Sequence, residues 1–241
     1  MIRDRAVDLK EDAAVFGAIM ILSAIVNNLG LINRNTIVFT ELIYALEGSA
    51  VLIFQSVVHP MLTNFMVSVY LFMYPLLLIG AYFYLKKKDS HLKYAKSYGL
   101  LIMVSAGFFY FVPVKVSGHY IPGLEPILYE YNPLTVGLFT SLGDFHAAFP
   151  SLHTGLAAVA AIHLHDEEKI ISAAGWLATF LIMISTFYLG IHWITDAAMG
   201  LGLAYLCCRF IESSYMKSFE QRTMNLLDFR PLYLRTRFTS G

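Results

Sequence analysis

The chain is predicted to be an all-α, polytopic membrane protein: one integral domain of six transmembrane helices with an extra helix at the outer interface. Three observations predict this. Of 241 residues, 57% are apolar and 14% charged, too little polar surface for a soluble domain of that length. Six apolar runs approach the roughly 20 residues a helix needs to cross a bilayer core of about 30 Å. The cations are also segregated. With the N-terminus in the cytoplasm, fifteen of the seventeen Lys and Arg fall inside and only Arg34 and Lys115 fall outside, as the positive-inside rule asks.

The first run, 13–32, follows a charged dozen residues and has no small-residue cleavage site, so it is read as a retained span. Segment 37–58 is long and apolar, yet it carries Glu41, Glu47 and Gln55, and counting it as a span would put Lys86, Lys87 and Lys88 on the wrong side. It is read as an amphipathic helix in the outer interface, serving as a cap on the bundle or as a substrate contact. Runs 65–85 and 98–114 form the second and third spans, joined by an inner turn that holds the lysine cluster. Val114 to Phe149 then gives 36 residues rich in Tyr, Pro and Gly, too many for a simple connection and suited to a substrate-shaping outer loop. The last three spans are 150–164, 170–191 and 192–211. The tail, 212–241, mixes Arg with aromatic residues and either lies on the anionic inner leaflet or is solvated. Both termini are expected in the cytoplasm. Cys207 and Cys208 are adjacent near the inner end of the last span, where vicinal geometry and a reducing compartment argue against a disulfide.

Two strings carry chemistry: FPSLHTG, from Phe149 to Gly155, and STFYLGIHWITD, from Ser185 to Asp196. Their histidines, His153 and His192, are 39 positions apart, about the length of two crossings at 1.5 Å rise per residue, so both return to one membrane face. His192 and Asp196, at i and i+4, share a face if the last helix begins near His192. A carboxylate accepting Nδ1–H would fix the tautomer that leaves Nε2 with its lone pair, making His192 a nucleophile or base. In FPSLHTG, Pro150 suits a helix start, so the amides of Ser151, Leu152 and His153 lack intrahelical partners. Those amides and the Ser151 hydroxyl form a phosphate cradle, and His153 stands where a leaving oxygen would need a proton.

Together the strings resemble the second and third signatures of the type 2 phosphatidic acid phosphatase superfamily, which includes lipid phosphate phosphatases and lipid phosphotransferases. The matching positions are Pro150, Ser151 and His153, then Ser185, His192 and Asp196. The resemblance implies that His192 attacks phosphorus and becomes a phosphohistidine, that Asp196 orients it, and that His153 protonates the leaving alkoxide and then activates the acceptor. It implies no metal and no cofactor. Five histidines are expected outside, His59, His119, His146, His153 and His192, but no close His pair or Cys set suits zinc.

The departures from the pattern are informative. The Arg that usually follows the Ser of the third signature is Thr186 here, and a first signature of Lys, six residues, then Arg-Pro lands from Lys115 on Pro122 and Gly123. Lys115 therefore stands either as the phosphate-binding cation or as a snorkelling residue that ends the third span. FPSLH in place of PSGH, with Thr186, Tyr188, Leu189, His192 and Trp193, is similar to the inositol phosphorylceramide synthase branch, whose members move phosphoinositol between lipids. A site poor in arginine suits a phosphodiester with one charge better than a monoester or diphosphate with about two or more.

Thr186, Tyr188, His119 and His146 are further candidates for head-group contact. The expected partners are the bilayer, a phospholipid donor and a lipid hydroxyl or water as acceptor, with no nucleic acid. Three functions stand open on the sequence: a transferase of a phosphoinositol-type head group, a lipid phosphate or polyprenyl diphosphate phosphatase on the same scaffold, and a non-catalytic membrane scaffold or transporter. The intact set of His153, His192 and Asp196 speaks against the last.

Overall fold

Apolar runs with helical periodicity give helices alone: the described residues contain no strand beyond an isolated bridge between Val114 and Ala147. The computed structural model describes residues 36–132 and 146–213. The expected span 13–32, Arg34, part of the expected outer loop (133–145) and the tail beyond 213 lie outside the described residues.

In chain order the helices are α1 (Thr36–Glu47), α2 (Pro60–Ser68), α3 (Tyr74–Lys86), α4 (His91–Phe111), a one-turn α5 (Ile127–Glu130), α6 (Leu152–His163), α7 (Lys169–Tyr188) and α8 (Ile194–Glu212). A 3-10 turn (Ala50–Gln55) follows α1, and a π-turn (Val69–Met73) joins α2 to α3 in one 27-residue helix, Pro60–Lys86. The wide turn has a local cause. Pro75 has no amide to donate and its ring crowds the carbonyl four residues back, Leu71, so the ladder opens there.

Three helices, Pro60–Lys86, Lys169–Tyr188 and Ile194–Glu212, are long and apolar enough to cross a membrane. The large apolar side chains Phe72, Leu76, Met103, Leu177, Phe180 and Leu206 point outward, a surface that soluble monomers avoid and lipid tolerates. The expectation of six spans is met in part. The second, fifth and sixth expected spans coincide with these three, whereas α6 has only 12 residues, about 18 Å at helical rise and short of a bilayer core.

Short α6 is nonetheless the axis of the bundle, packed by α3, α4, α7 and α8 and buried without a break from Thr154 to Ala161. Its sequence, LHTGLAAVAAIH, explains this, since small residues let backbones approach. A Cβ on Gly200 of α8 would lie 2.5 Å from the Ser151 carbonyl oxygen, and one on Gly155 would lie 3.2 Å from the Gly200 carbonyl oxygen. At the far end of α6 the helix hairpins are tied together: His163 Nε2 meets Ser97 Oγ at 3.0 Å, and Lys88 pairs with Glu167 at 3.7 Å. The lysine turn after α3 and the N-terminus of α6 are therefore at opposite ends of the bundle.

Segment 37–58 is not the single helix expected. It breaks at Gly48, whose φ of +58° suits glycine, and continues as the 3-10 turn. Two of the polar residues that argued against a span have become anchors. Glu47 reaches the start of α8, and Gln55 Nε2 donates to the carbonyls of Glu125 (2.8 Å) and Tyr188 (2.7 Å).

Gly200→Ala raises helix propensity by about 1 kcal/mol, yet its methyl must force α6 and α8 apart, and the net expected effect is a loss of about 1–3 kcal/mol. Thermal unfolding of the purified protein in detergent reads this as a lowered midpoint. Gly202→Ala, whose methyl meets nothing within 4 Å, is expected to leave the midpoint unchanged or raised.

Candidate active site

The site begins with a turn. After α7 ends at Tyr188, the chain reverses over Leu189 and Gly190, the latter at φ +72° and so close to its neighbour that a Cβ would sit 2.5 Å from the Glu125 carbonyl oxygen. The Thr186 carbonyl accepts from the amides of Ile191 (3.0 Å) and His192 (3.4 Å). From the long loop, Gly118 N donates to the Gly190 carbonyl at 2.9 Å and Ser117 Oγ to the His192 carbonyl at 3.0 Å. His192 is thus gripped on both sides by main-chain bonds before its ring makes any.

α8 begins at Ile194, two residues after His192 and close to the expected start, and Asp196 acts as its cap: its Oδ2 accepts the Trp193 amide at 2.9 Å. The same oxygen lies 3.2 Å from His192 Nδ1. The i, i+4 pair thus meets through a reach back across the helix start, not by stacking along a helix face. Asp196 is fully buried and His192 is 3% exposed. Two further amides at this helix start, Ile194 (3.1 Å) and Thr195 (2.7 Å), and the Thr195 hydroxyl donate to the Glu47 carboxylate. The positive end of α8 is therefore occupied by the protein's own anion.

His153 arrives as the second residue of α6. Ser151 caps this helix: its Oγ accepts from Thr154 N at 3.3 Å and donates to Thr154 Oγ1 at 3.1 Å, while its amide donates to the Asp196 carbonyl at 3.0 Å. The Ser151 hydroxyl is fully buried in that capping role. The Leu152 and His153 amides stand in the first turn, ahead of the intrahelical ladder. His153 Nδ1 lies 3.3 Å from His192 Nε2, and its Nε2 lies 2.8 Å from the Tyr70 hydroxyl. The four groups form one chain, Tyr70, His153, His192, Asp196. An ionised carboxylate only accepts, so the chain has one consistent direction: His192 Nδ1–H to Asp196, His153 Nδ1–H to His192 Nε2, and Tyr70 O–H to His153 Nε2.

Beside this chain the loop assembles a second group. Lys115 is fixed by its main chain, its carbonyl accepting from Trp193 Nε1 at 2.8 Å and its amide donating to Thr40 Oγ1 at 3.0 Å. His119 packs edge-on against Tyr129 at 5.2 Å, and the His146 carbonyl accepts from Val114 N at 3.0 Å. Burial lowers the His119 pKa below the ordinary imidazole value, Glu130 opposes that shift, and Lys115 and His146 add to it, so these four groups share one electrostatic neighbourhood. Thr186 and Tyr188 are not brought to the histidines by their side chains. The Thr186 hydroxyl donates to the Met183 carbonyl at 2.8 Å, and the Tyr188 hydroxyl pairs with Thr63 Oγ1 at 2.6 Å. Among the described residues no three His, Cys, Asp or Glu side chains converge as a metal site.

Sequence reasoning passed over Tyr70, Tyr74 and the anchoring role of Glu47. Glu47 had a signal, a lone carboxylate in an apolar segment that must find donors. Tyr70 had none, being one of fifteen tyrosines and 83 positions from its partner.

An uncharacterized protein, MJ0662, of Methanocaldococcus jannaschii is 27% identical over 171 residues, which are 64% of this chain and 63% of that protein, so the match spans less than two thirds of the relative's length. No solved structure matches the chain. The profile of the PAP2 superfamily covers residues 42–210, from α1 through the two strings to the end of α8. The chain belongs to the PAP2 superfamily.

Proposed function

We propose that the protein is a lipid phosphotransferase that works through a phosphohistidine on His192 and takes a phosphodiester donor with a phosphoinositol-type head group. The observation that carries this reading is the hydrogen-bonded series Asp196, His192, His153, at 3.2 and 3.3 Å. It supports a balanced two-step exchange. In the first step His192 Nε2 attacks phosphorus as the P–O bond to the lipid alcohol breaks, and protonated His153 gives its proton to the departing alkoxide oxygen. In the second step an acceptor hydroxyl attacks the phosphohistidine, His153 takes the proton back, and His192 leaves neutral. Asp196 holds the Nδ1 proton throughout and offsets the positive charge that develops on the ring.

The free ring separation also defines what binding must do. A phosphorus about 3 Å from the nucleophile, with its leaving oxygen about 3 Å from the acid, needs more room than the 3.3 Å between the rings, so the substrate parts His153 from His192 as it enters. The short α6 supports a reaction centre below the membrane surface, at the depth of a lipid phosphate, with acyl chains entering laterally between helices. The segregation of lysines away from the histidines supports an extracytoplasmic site.

Thr186 supports the diester. Where the superfamily pattern has a cation, this residue has a hydroxyl already engaged by its own helix, and no guanidinium is supplied. A second reading, hydrolysis of a lipid phosphate or polyprenyl diphosphate, is favoured by Lys115, whose ammonium offers charge for a dianion.

Thin-layer analysis of labelled lipids tests both. Head-group transfer from a phosphatidylinositol-type donor is expected; ready phosphate release from phosphatidic acid or a polyprenyl diphosphate, with phosphatidylinositol untouched, selects the hydrolase. His192→Ala is expected to lower turnover at least about 1000-fold, and Asp196→Asn about 100-fold or more; unchanged turnover in His192→Ala removes the enzyme reading. The pH profile of kcat/KM is expected to be bell-shaped, activity falling at low pH as His192 takes a proton and at high pH as His153 loses one. A flat profile from pH about 5 to 9 contradicts these roles.

A further inference from the structure

We infer that Tyr70 is the positioning residue of the acid–base step, its hydroxyl following His153 through both protonation states. The inference rests on the role proposed for His153. Tyr70 stands in the π-turn between α2 and α3, a kind of bulge that recurs at functional sites. It is 7% exposed, its Oη is 2.8 Å from His153 Nε2, and its ring centroid is 4.7 Å from that of His153. Tyr74, one turn on, places its ring 5.0 Å from the same imidazole. The other titratable groups at this place are His192, in contact with His153, Asp196 behind His192, and Tyr129 of α5, which acts electrostatically on Tyr70. Among the described residues α4 and α7 bring no titratable side chain into contact with the His153 ring.

An acid that becomes a base needs a partner that can reverse its own role. When His153 is neutral with its proton on Nδ1, Nε2 carries a lone pair and the Tyr70 hydroxyl donates to it. When His153 is protonated, Nε2–H points at the same oxygen, which accepts. A hydroxyl does both by rotating its hydrogen, whereas a carboxylate only accepts and an ammonium only donates. Without it, a buried ring nitrogen is left unpaired in either state, and the ring is free to turn the wrong nitrogen toward His192.

Tyr70→Phe keeps the ring and removes the hydroxyl. In the full-length protein, purified in detergent with an unchanged unfolding midpoint, kcat is expected to fall about 10- to 100-fold with KM within about twofold. A hydrogen bond to a charged partner is worth more than one to a neutral partner, so the alkaline limb of the pH profile moves to lower pH by about one unit. Where Tyr70→Phe does not fold, 3-fluorotyrosine at position 70 preserves the packing. Its more acidic phenol donates better and accepts worse, and it moves the alkaline limb the same way. A wild-type kcat, or a lowered kcat with an unmoved limb, overturns the inference. His153→Ala separates the two levels: full turnover in that variant removes the proposed role of His153, while an inactive His153→Ala beside an unaltered Tyr70→Phe removes only the inference about Tyr70.

Discussion

The site depends on how closely α6 and α8 approach. Gly155 and Gly200 let the two backbones touch, and the contact is fixed by one main-chain bond, from Ser151 N to the Asp196 carbonyl at 3.0 Å. That bond ties the residue that caps α6 to the residue that caps α8. His153 is two positions beyond the first cap and His192 one before the second helix's N-cap, so their facing rings are set by the backbone contact and not by side-chain reach. A bundle held this way needs no long helix at its centre, which is why α6 can be 12 residues and still organise its neighbours.

Asp196 shows how one buried group serves fold and chemistry together. Its Oδ2 accepts the Trp193 amide and lies within hydrogen-bond reach of His192 Nδ1, so the geometry that starts α8 is the geometry that orients the proposed nucleophile. Glu47 completes the arrangement from outside the helix by accepting the next two amides. A free helix start attracts anions, and this one is filled by a carboxylate, which leaves the α6 start as the place proposed for a phosphate. The structural role of α1 follows from this: it is a strap whose last residue holds the start of α8 in place.

The loop from Val114 onward works by main-chain contacts. Ser117, Gly118 and Glu125 hold the turn before His192, and Lys115 is placed by its own peptide groups against Trp193 and Thr40. Lys115, His119 and His146 lie in one electrostatic neighbourhood with Glu130.

The sequence by itself determined the membrane character, the helical class, the superfamily, and the candidates His153, His192 and Asp196, because hydropathy, charge segregation and motif spacing are local properties of the string. It placed the ends of the last three helices within a few residues, but read His192 and Asp196 as partners stacked on a helix face, because a capping carboxylate looks in sequence like a helical i, i+4 partner. Only the tertiary structure decided the rest. Tyr70 meets His153 across 83 positions, Glu47 meets Thr195 across 148, and Thr186 and Tyr188 turn their hydroxyls to the scaffold. Such partners are chosen by how helices pack, and a buried polar group takes whichever donor or acceptor that packing delivers.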